Sequence, residues 1–176
     1  MNKKKTIIFI SLIICFQLIV LCSVYLNAVY PVWTGKEIRL KTIPVDPRSL
    51  FRGNYAALRY DISRISTEKI KQETVPRANE IVYVLLKEEK NGVWRFDSLS
   101  FSRPGQGTFI RGRIRNAGRN RPGTYRITYG IEAYFAPKDK ALALEKKLRN
   151  TAVAVIRLTA GGKAALIRIE DGSETS

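Results

Sequence analysis

The longest apolar run of the chain lies near its start, where residues 6–29 contain no charged side chain. About 20 apolar residues cross the hydrocarbon core of a bilayer as a helix, so this run predicts one transmembrane helix. A cleaved signal peptide is the alternative, but its apolar segment is shorter, roughly 7–15 residues, and ends in a small-x-small site. Cleavage after Ala28 would place Leu26 at the outer position of that site, which does not fit. We therefore predict a retained anchor.

The charges that flank this run predict its orientation. Lysines at positions 3–5 precede it and favour a cytoplasmic N-terminus. Basic residues also follow the run, but long domains are translocated largely regardless of their charge. We predict a single-pass protein of the cytoplasmic (inner) membrane, with its N-terminus inside and its C-terminal domain outside. Its parts are a basic cytoplasmic tail at residues 1–5, a transmembrane helix at residues 6–29 and an extracytoplasmic domain at residues 30–176.

Beyond the anchor, side chains alternate over short segments with a period of two, which is typical of strands with one buried face. Further strand signals are separated by turn signals at Asn91-Gly92 and Gly161-Gly162. We expect strands at residues 37–43, 54–62, 81–86, 93–101, 109–115, 124–129, 152–158 and 164–169. A helical turn is expected at residues 66–73 and one longer helix at residues 137–149. The predicted fold class is mainly β (α+β), with one small β-rich domain and a late helix.

The segment at residues 44–62 carries the most specific pattern of the chain. Prolines at positions 44 and 47 hold its first part extended, and Gly53-Asn54 is a turn signal. From residue 55 onward the side chains alternate between two faces. The apolar face, which we expect to line a core, carries Ala56, Leu58, Tyr60 and Ile62. The opposite, exposed face carries Tyr55, Ala57, Arg59 and Asp61.

Gly53, Tyr55, Leu58 and Tyr60 occupy the named positions of a Gly-Asp-Tyr-x-x-Leu-x-Tyr pattern. The segment therefore resembles the signature of the GDYXXLXY-domain family, a group of small bacterial membrane-associated proteins of uncharacterised function. One position departs from the pattern, because Asn54 stands where the family has Asp. The loss of that carboxylate favours a structural role for the position.

The resemblance extends beyond this motif. Residues 45–48 and Arg52 are similar to the family's usual approach to it, and residues 129–135 are similar to a second family block. With the N-terminal anchor and the closing hairpin, the similarity covers nearly the whole chain. It implies an anchored domain of the same architecture, but it implies no reaction.

The residues that we expect to bind a ligand or partner come from these two blocks. Leu58 and Tyr60 are expected to pack in the core, whereas the polar residues around the Gly53 turn are candidates for a recognition surface. Glu132 is expected either to pair with a motif arginine or to take part in binding. The predicted set is Asp46, Arg48, Arg52, Gly53, Asn54, Tyr55, Leu58, Tyr60, Tyr129, Glu132 and Tyr134.

The domain is strongly basic. Three of the 31 Lys and Arg precede the anchor and all 15 acidic residues follow it, so the domain has 28 basic residues and a net charge of +13. The densest cluster, five arginines in residues 111–121, could contact phosphates, with Phe109 and Tyr125 nearby for base stacking. No nucleic-acid-binding module is recognisable, and an exported domain does not normally meet nucleic acid. Anionic lipid headgroups or an envelope polymer are therefore the preferred partners of this charge.

The composition excludes most catalytic classes. The chain contains no His, so Ser-His-Asp triads, Cys-His pairs and histidine metal sites are impossible. Cys15 and Cys22 both lie in the apolar run, so the domain has no disulfide and no thiolate metal site. We predict no metal and no cofactor. A Ser-Lys dyad, or acid–base pairs such as Asp61 with Asp46 or Glu132, stay open as alternatives.

These features together predict a membrane-anchored, extracytoplasmic binding or accessory protein rather than an enzyme. The resemblance implies another integral membrane protein as its partner, because family members resemble accessory subunits encoded beside multi-span proteins. An envelope hydrolase or peptidase of the Ser-Lys type is the alternative.

Overall fold

The computed structural model describes residues 3–43, 51–52, 55–66, 76–116, 123–135 and 152–172. Within these ranges, one long helix, α1 (Lys3–Thr34), precedes a domain of eleven strands and one 3₁₀ turn (Asp61–Ser63). The strands are β1 (Lys36–Lys41), β2 (Phe51–Arg52), β3 (Tyr55–Ala57), β4 (Arg64–Ser66), β5 (Ile81–Glu88), β6 (Val93–Ser100), β7 (Thr108–Asn116), β8 (Thr124–Thr128), β9 (Ala133–Phe135), β10 (Ala152–Leu158) and β11 (Ala164–Asp171). The strand-rich class predicted from the pattern is confirmed.

Among the described residues, α1 is the helix that is long and apolar enough to cross a membrane, over the 29 residues Thr6–Thr34. Its large apolar side chains point outward, and Phe9 and Leu21 are each 66% exposed. Large apolar side chains that the rest of the protein leaves exposed are typical of a helix surrounded by lipid. It continues for five residues beyond the predicted end of the anchor at residue 29.

The helix and the domain are joined by a single residue, Gly35. The Gly35 N–H donates to the carbonyl oxygen of Pro31 at 3.0 Å. A Cβ atom at this position would collide with that same oxygen and would lie 2.9 Å from the backbone carbon of Arg157 on β10. Arg157 also donates through its guanidinium to the carbonyl oxygen of Val32. The end of the helix is therefore packed directly against the sheet.

Eight strands form the main sheet, in the order β11-β10-β1-β6-β5-β7-β8-β4. Its neighbours are antiparallel except for the parallel pair β1 and β6. The sheet is strongly curved. Its curvature brings the turn between β10 and β11 into contact with β7, where the Arg111 N–H donates to the Gly162 carbonyl at 2.8 Å. The core inside this curve includes Ile38, Leu40, Val82, Val84, Ile110, Ile114, Ile127 and Ile156.

A second, three-stranded sheet has the order β2-β3-β9. It pairs the motif strand β3 with β9, so that Tyr55 lies opposite Phe135 and Ala57 opposite Ala133. The two sequence blocks that carry the family resemblance are therefore neighbours in space.

The structure confirms the predicted turns at Asn91-Gly92 and Gly161-Gly162, in which Gly92 and Gly162 adopt φ values of 73° and 78°. The strand expected at residues 54–62 is too long. Strand β3 ends at Ala57, where its pairing with β9 stops, and the chain then enters the 3₁₀ turn Asp61–Ser63. Ser66, expected to begin a helical turn, instead ends β4. The rest of that expected turn and the helix expected at residues 137–149 lie outside the described residues.

Candidate functional site

Two buried tyrosines link the two sequence blocks. The hydroxyl of Tyr60 donates a 2.6 Å hydrogen bond to the carbonyl oxygen of Ile131, and that of Tyr129 donates a 2.6 Å bond to the carbonyl oxygen of Ile62. Burial, and to a lesser degree the negative charge of Glu132, raises the pKa of both hydroxyls above the usual tyrosine range. Both groups therefore stay protonated and act as donors, as buried phenols require.

Glu132 holds the turn that follows Tyr129. Its carboxylate accepts hydrogen bonds from the backbone N–H groups of Tyr129 at 2.5 Å and Gly130 at 2.9 Å. Gly130 has a φ of 83°, which glycine adopts without strain. The backbone carbonyl of Glu132 accepts the N–H of Leu58 at 2.7 Å. Glu132 thus connects the second block to the motif, and both of its carboxylate oxygens cap backbone groups.

A cavity of about 190 Å³ opens beside this turn. Its apolar part includes the buried residues Leu58, Tyr60 and Ile127, and its polar part includes three exposed arginines. The cavity is lined by Ile43, Leu58, Arg59, Tyr60, Ser63, Arg64, Arg126, Ile127, Thr128 and Glu132. It is smaller than a typical site for a drug-sized ligand, so its size suits a single side chain or a small anionic group.

Two of the arginines face each other across strands. Arg64 on β4 lies directly opposite Arg126 on β8 in the main sheet. Like charges at opposite positions disfavour strand pairing. Arg59, from the motif itself, lines the same cavity. Because a guanidinium group can form two parallel hydrogen bonds with a carboxylate or phosphate, this arrangement is suited to binding an anionic group.

Asp61, expected on the exposed face of a strand, instead lies half-buried in the 3₁₀ turn. Its Oδ1 atom is buried and has no hydrogen-bond partner among the described residues. Burial raises the pKa of this carboxyl, and a backbone hydrogen bond from Ile62 and the charges of Arg95 and Lys41 oppose that shift. The ionised form of Asp61 is therefore disfavoured by its position in the folded domain.

The predicted site residues are divided between the core, the three-stranded sheet and segments outside the described residues. Leu58 and Tyr60 are buried, which confirms their predicted packing role, and Tyr134 is half-buried against the core. Arg52 and Tyr55 lie opposite each other on β2 and β3. Asp46, Arg48, Gly53 and Asn54 lie outside the described residues. The recognition role expected for the Gly53 turn stays a prediction.

Arg59, Arg64 and Arg126 were not selected from the sequence. The alternation around residue 126 shows that this arginine is exposed, but no local pattern shows that β4 pairs with β8. Of the expected basic cluster, Arg111, Arg113 and Arg115 are exposed on β7. Arg119 and Arg121 lie outside the described residues.

The described lining of the cavity contains one serine, Ser63. The Ser63 hydroxyl accepts the N–H of Tyr60 at 3.3 Å, and none of the described residues that line the cavity is a lysine. In the ranges that the structure covers, no group of three or more Cys, Asp or Glu is placed to hold a metal ion.

A family model described as "GDYXXLXY protein" matches residues 17–169. This range includes the last part of α1, the motif, the cavity and the closing hairpin. Neither the curated proteins nor the solved structures include a match to the chain.

Proposed function

The chain belongs to the GDYXXLXY family, and from that premise we propose that it is a membrane-anchored binding protein, an accessory subunit of another integral membrane protein. Its domain lies on the outer side of the cytoplasmic membrane and its N-terminal tail lies inside. The apolar helix α1 supports the anchoring, and the lysines at positions 3–5 support this orientation.

The observation that carries the proposal is the arginine-lined cavity at the junction of the two sequence blocks. An acidic side chain or a terminal carboxylate of the partner fits this lining. Its aliphatic part would pack against Leu58 and Ile127, and its carboxylate would bind between Arg64 and Arg126. The turns that position the cavity are held by Glu132 and by the two tyrosine hydroxyls, so little conformational entropy is lost on binding.

An envelope hydrolase of the Ser-Lys type is the alternative function. The serine that lines the cavity, Ser63, is hydrogen-bonded to the backbone of its own turn. A nucleophilic serine needs an adjacent base, and the described lining offers no lysine for that role. The chemistry of the cavity therefore favours binding.

Association in gently solubilised membranes tests the proposal. We expect a stoichiometric integral membrane protein to co-purify with the full-length chain. Arg126→Glu should lower this association by about tenfold or more, because like charges brought together at an interface cost several kcal/mol. Lys87→Glu is the matched control, since it makes the same change of charge at an exposed residue of β5 that does not line the cavity.

The other possible results of these experiments would contradict different parts of the proposal. An equal loss in both variants would assign the effect to overall charge rather than to the cavity. The absence of any integral membrane partner would contradict the accessory role, and labelling by a serine-reactive probe would favour the hydrolase. A reporter that is active only in the cytoplasm, fused after the last residue, should be silent if the orientation is correct.

A further inference from the structure

The hairpin formed by β10 and β11 is bound to the last turns of the membrane helix. Pro31 has no N–H, so it cannot donate to the carbonyl oxygen of Asn27 as a residue in a regular helix would. The ammonium group of Lys163 donates to that oxygen at 2.5 Å and to Asn27 Oδ1 at 3.0 Å. Arg157, earlier in the hairpin, binds the Val32 carbonyl five residues farther along the helix. The tip of the hairpin therefore points back toward the membrane.

The length of the helix indicates where this tip lies relative to the hydrocarbon core of the bilayer. Twenty residues from Thr6 reach Tyr25 and span about 30 Å, the thickness of the hydrocarbon core. Asn27 follows two residues later. Burial of a lysine ammonium in hydrocarbon costs free energy. The contact between Lys163 and Asn27 therefore places Asn27 outside the hydrocarbon core, in the headgroup layer. Tyr30 and Trp33, which are 54% and 64% exposed, follow at the level where aromatic side chains are enriched.

The turn at the tip, residues 159–163, is rigidly held. The Thr159 N–H donates to the Lys163 carbonyl at 2.9 Å, and the Lys163 N–H donates to Thr159 Oγ1 at 3.1 Å. Gly162 lies so close to the ring of Phe109 that a Cβ atom would come within 2.9 Å of it. The Gly162 carbonyl also accepts the Arg111 N–H at 2.8 Å. The turn is therefore fixed before it meets any ligand.

The two segments that meet at the tip carry only positive charges. Arg103, from the loop before β7, donates to the carbonyl oxygen of Ala160 at 3.3 Å, which places a second basic side chain beside Lys163. Residues 102–107 and 159–163 contain these two basic residues and no acidic one. We propose that the turn at residues 159–163, together with Arg103, rests on the membrane surface and binds anionic phospholipid headgroups, which fixes the tilt of the domain.

Lipid binding by the full-length chain tests the charge recognition. Native mass spectrometry in detergent would measure the binding of phosphatidylglycerol relative to phosphatidylcholine. Lys163→Gln keeps a donor for Asn27 but removes the charge, and Arg103→Gln removes the second charge. One basic residue at an anionic surface contributes about fivefold in affinity, so each variant should lose about that factor. Arg115→Gln is the control, because it lies four residues, about 13 Å, farther along β7 than Arg111.

The depth of the tip is tested separately with a nitroxide label at Ala160→Cys, in a Cys15→Ser, Cys22→Ser background in nanodiscs. The label should be shielded from an aqueous nickel chelate, whereas a label at Arg115→Cys should be accessible. Equal accessibility of the two labels would overturn the proposal. Equal phosphatidylglycerol preference in all variants would also overturn it, and so would shielding that is the same with phosphatidylcholine alone, because contact would then occur without recognition of charge.

Discussion

Tyr60 and Tyr129 hold each other's segments of the chain in a reciprocal arrangement. Each hydroxyl donates a 2.6 Å hydrogen bond to a carbonyl oxygen two residues after the other tyrosine, at Ile131 and at Ile62. The two bonds join positions that are 71 and 67 residues apart in sequence. The motif tyrosine therefore joins the motif to the second block, and it also lines the cavity between them.

Removal of either hydroxyl should destabilise the domain. Tyr60→Phe and Tyr129→Phe each leave a buried carbonyl without its donor, which costs about 1–3 kcal/mol of unfolding free energy. Chemical unfolding of the full chain in detergent, followed by the fluorescence of Trp94, measures the loss. Tyr83→Phe, at a half-buried tyrosine on the outer side of β5, is the control and should change stability less. An unchanged midpoint for both core variants would contradict the structural role of the pair.

Asp61→Asn should stabilise the domain at neutral pH. Burial raises the pKa of this carboxyl in the folded state, so its ionised form destabilises the fold. The wild-type chain should therefore lose stability as the pH rises through the raised pKa. It should regain that stability on acidification, fully below the unfolded value of about 3.9.

The difference in melting temperature between Asp61→Asn and wild type checks this sign. It should be positive at neutral pH and should shrink toward zero in acid. Asp97→Asn, which removes a carboxylate at an exposed position on β6, is the matched control. If Asp61→Asn lowered the melting temperature at neutral pH, the attraction of Arg95 and Lys41 would outweigh the cost of burial.

Gly35→Ala should disrupt the junction between helix and sheet. The added Cβ would collide with the Pro31 carbonyl and press on the backbone of Arg157, and overpacking of this kind costs about 1–3 kcal/mol. Gly105→Ala is a close control, because a Cβ there meets nothing within 4 Å. Thermal unfolding of the two variants should differ accordingly. Equal melting temperatures would show that the helix end can move away from the sheet without loss.

The sequence was sufficient to predict the long apolar helix, the strand-rich class and the inward face of the motif, because these follow from local composition and periodicity. Leu58 and Tyr60 are buried as expected, although the strand that was predicted to carry them ends at Ala57. Alternation reports which side chains face inward, but it does not show where a chain leaves one sheet and joins another.

The cavity could not be predicted from the sequence for a related reason. It depends on the pairing of Arg64 with Arg126 and on the hydrogen bond between Leu58 and Glu132, and both join distant parts of the chain. Glu132 was expected to pair with a motif arginine or to bind a partner, yet its carboxylate caps a turn. A glutamate two residues after a glycine is not sufficient to distinguish these roles without the backbone geometry.

Arg126→Glu should separate stability from binding at the cavity. It replaces a pair of like charges opposite each other on β4 and β8 with a pair of opposite charges, which favours pairing by about 0.2–1 kcal/mol. We therefore expect the unfolding midpoint to stay the same or rise while association with the partner is lost. Arg126→Gln, which removes the repulsion without adding attraction, should lie between wild type and Arg126→Glu in stability. If instead both variants unfolded earlier than wild type, Arg126 would be needed for the stability of the fold. The pairing of Arg64 with Arg126 would then no longer support a binding site for an acidic group of a partner.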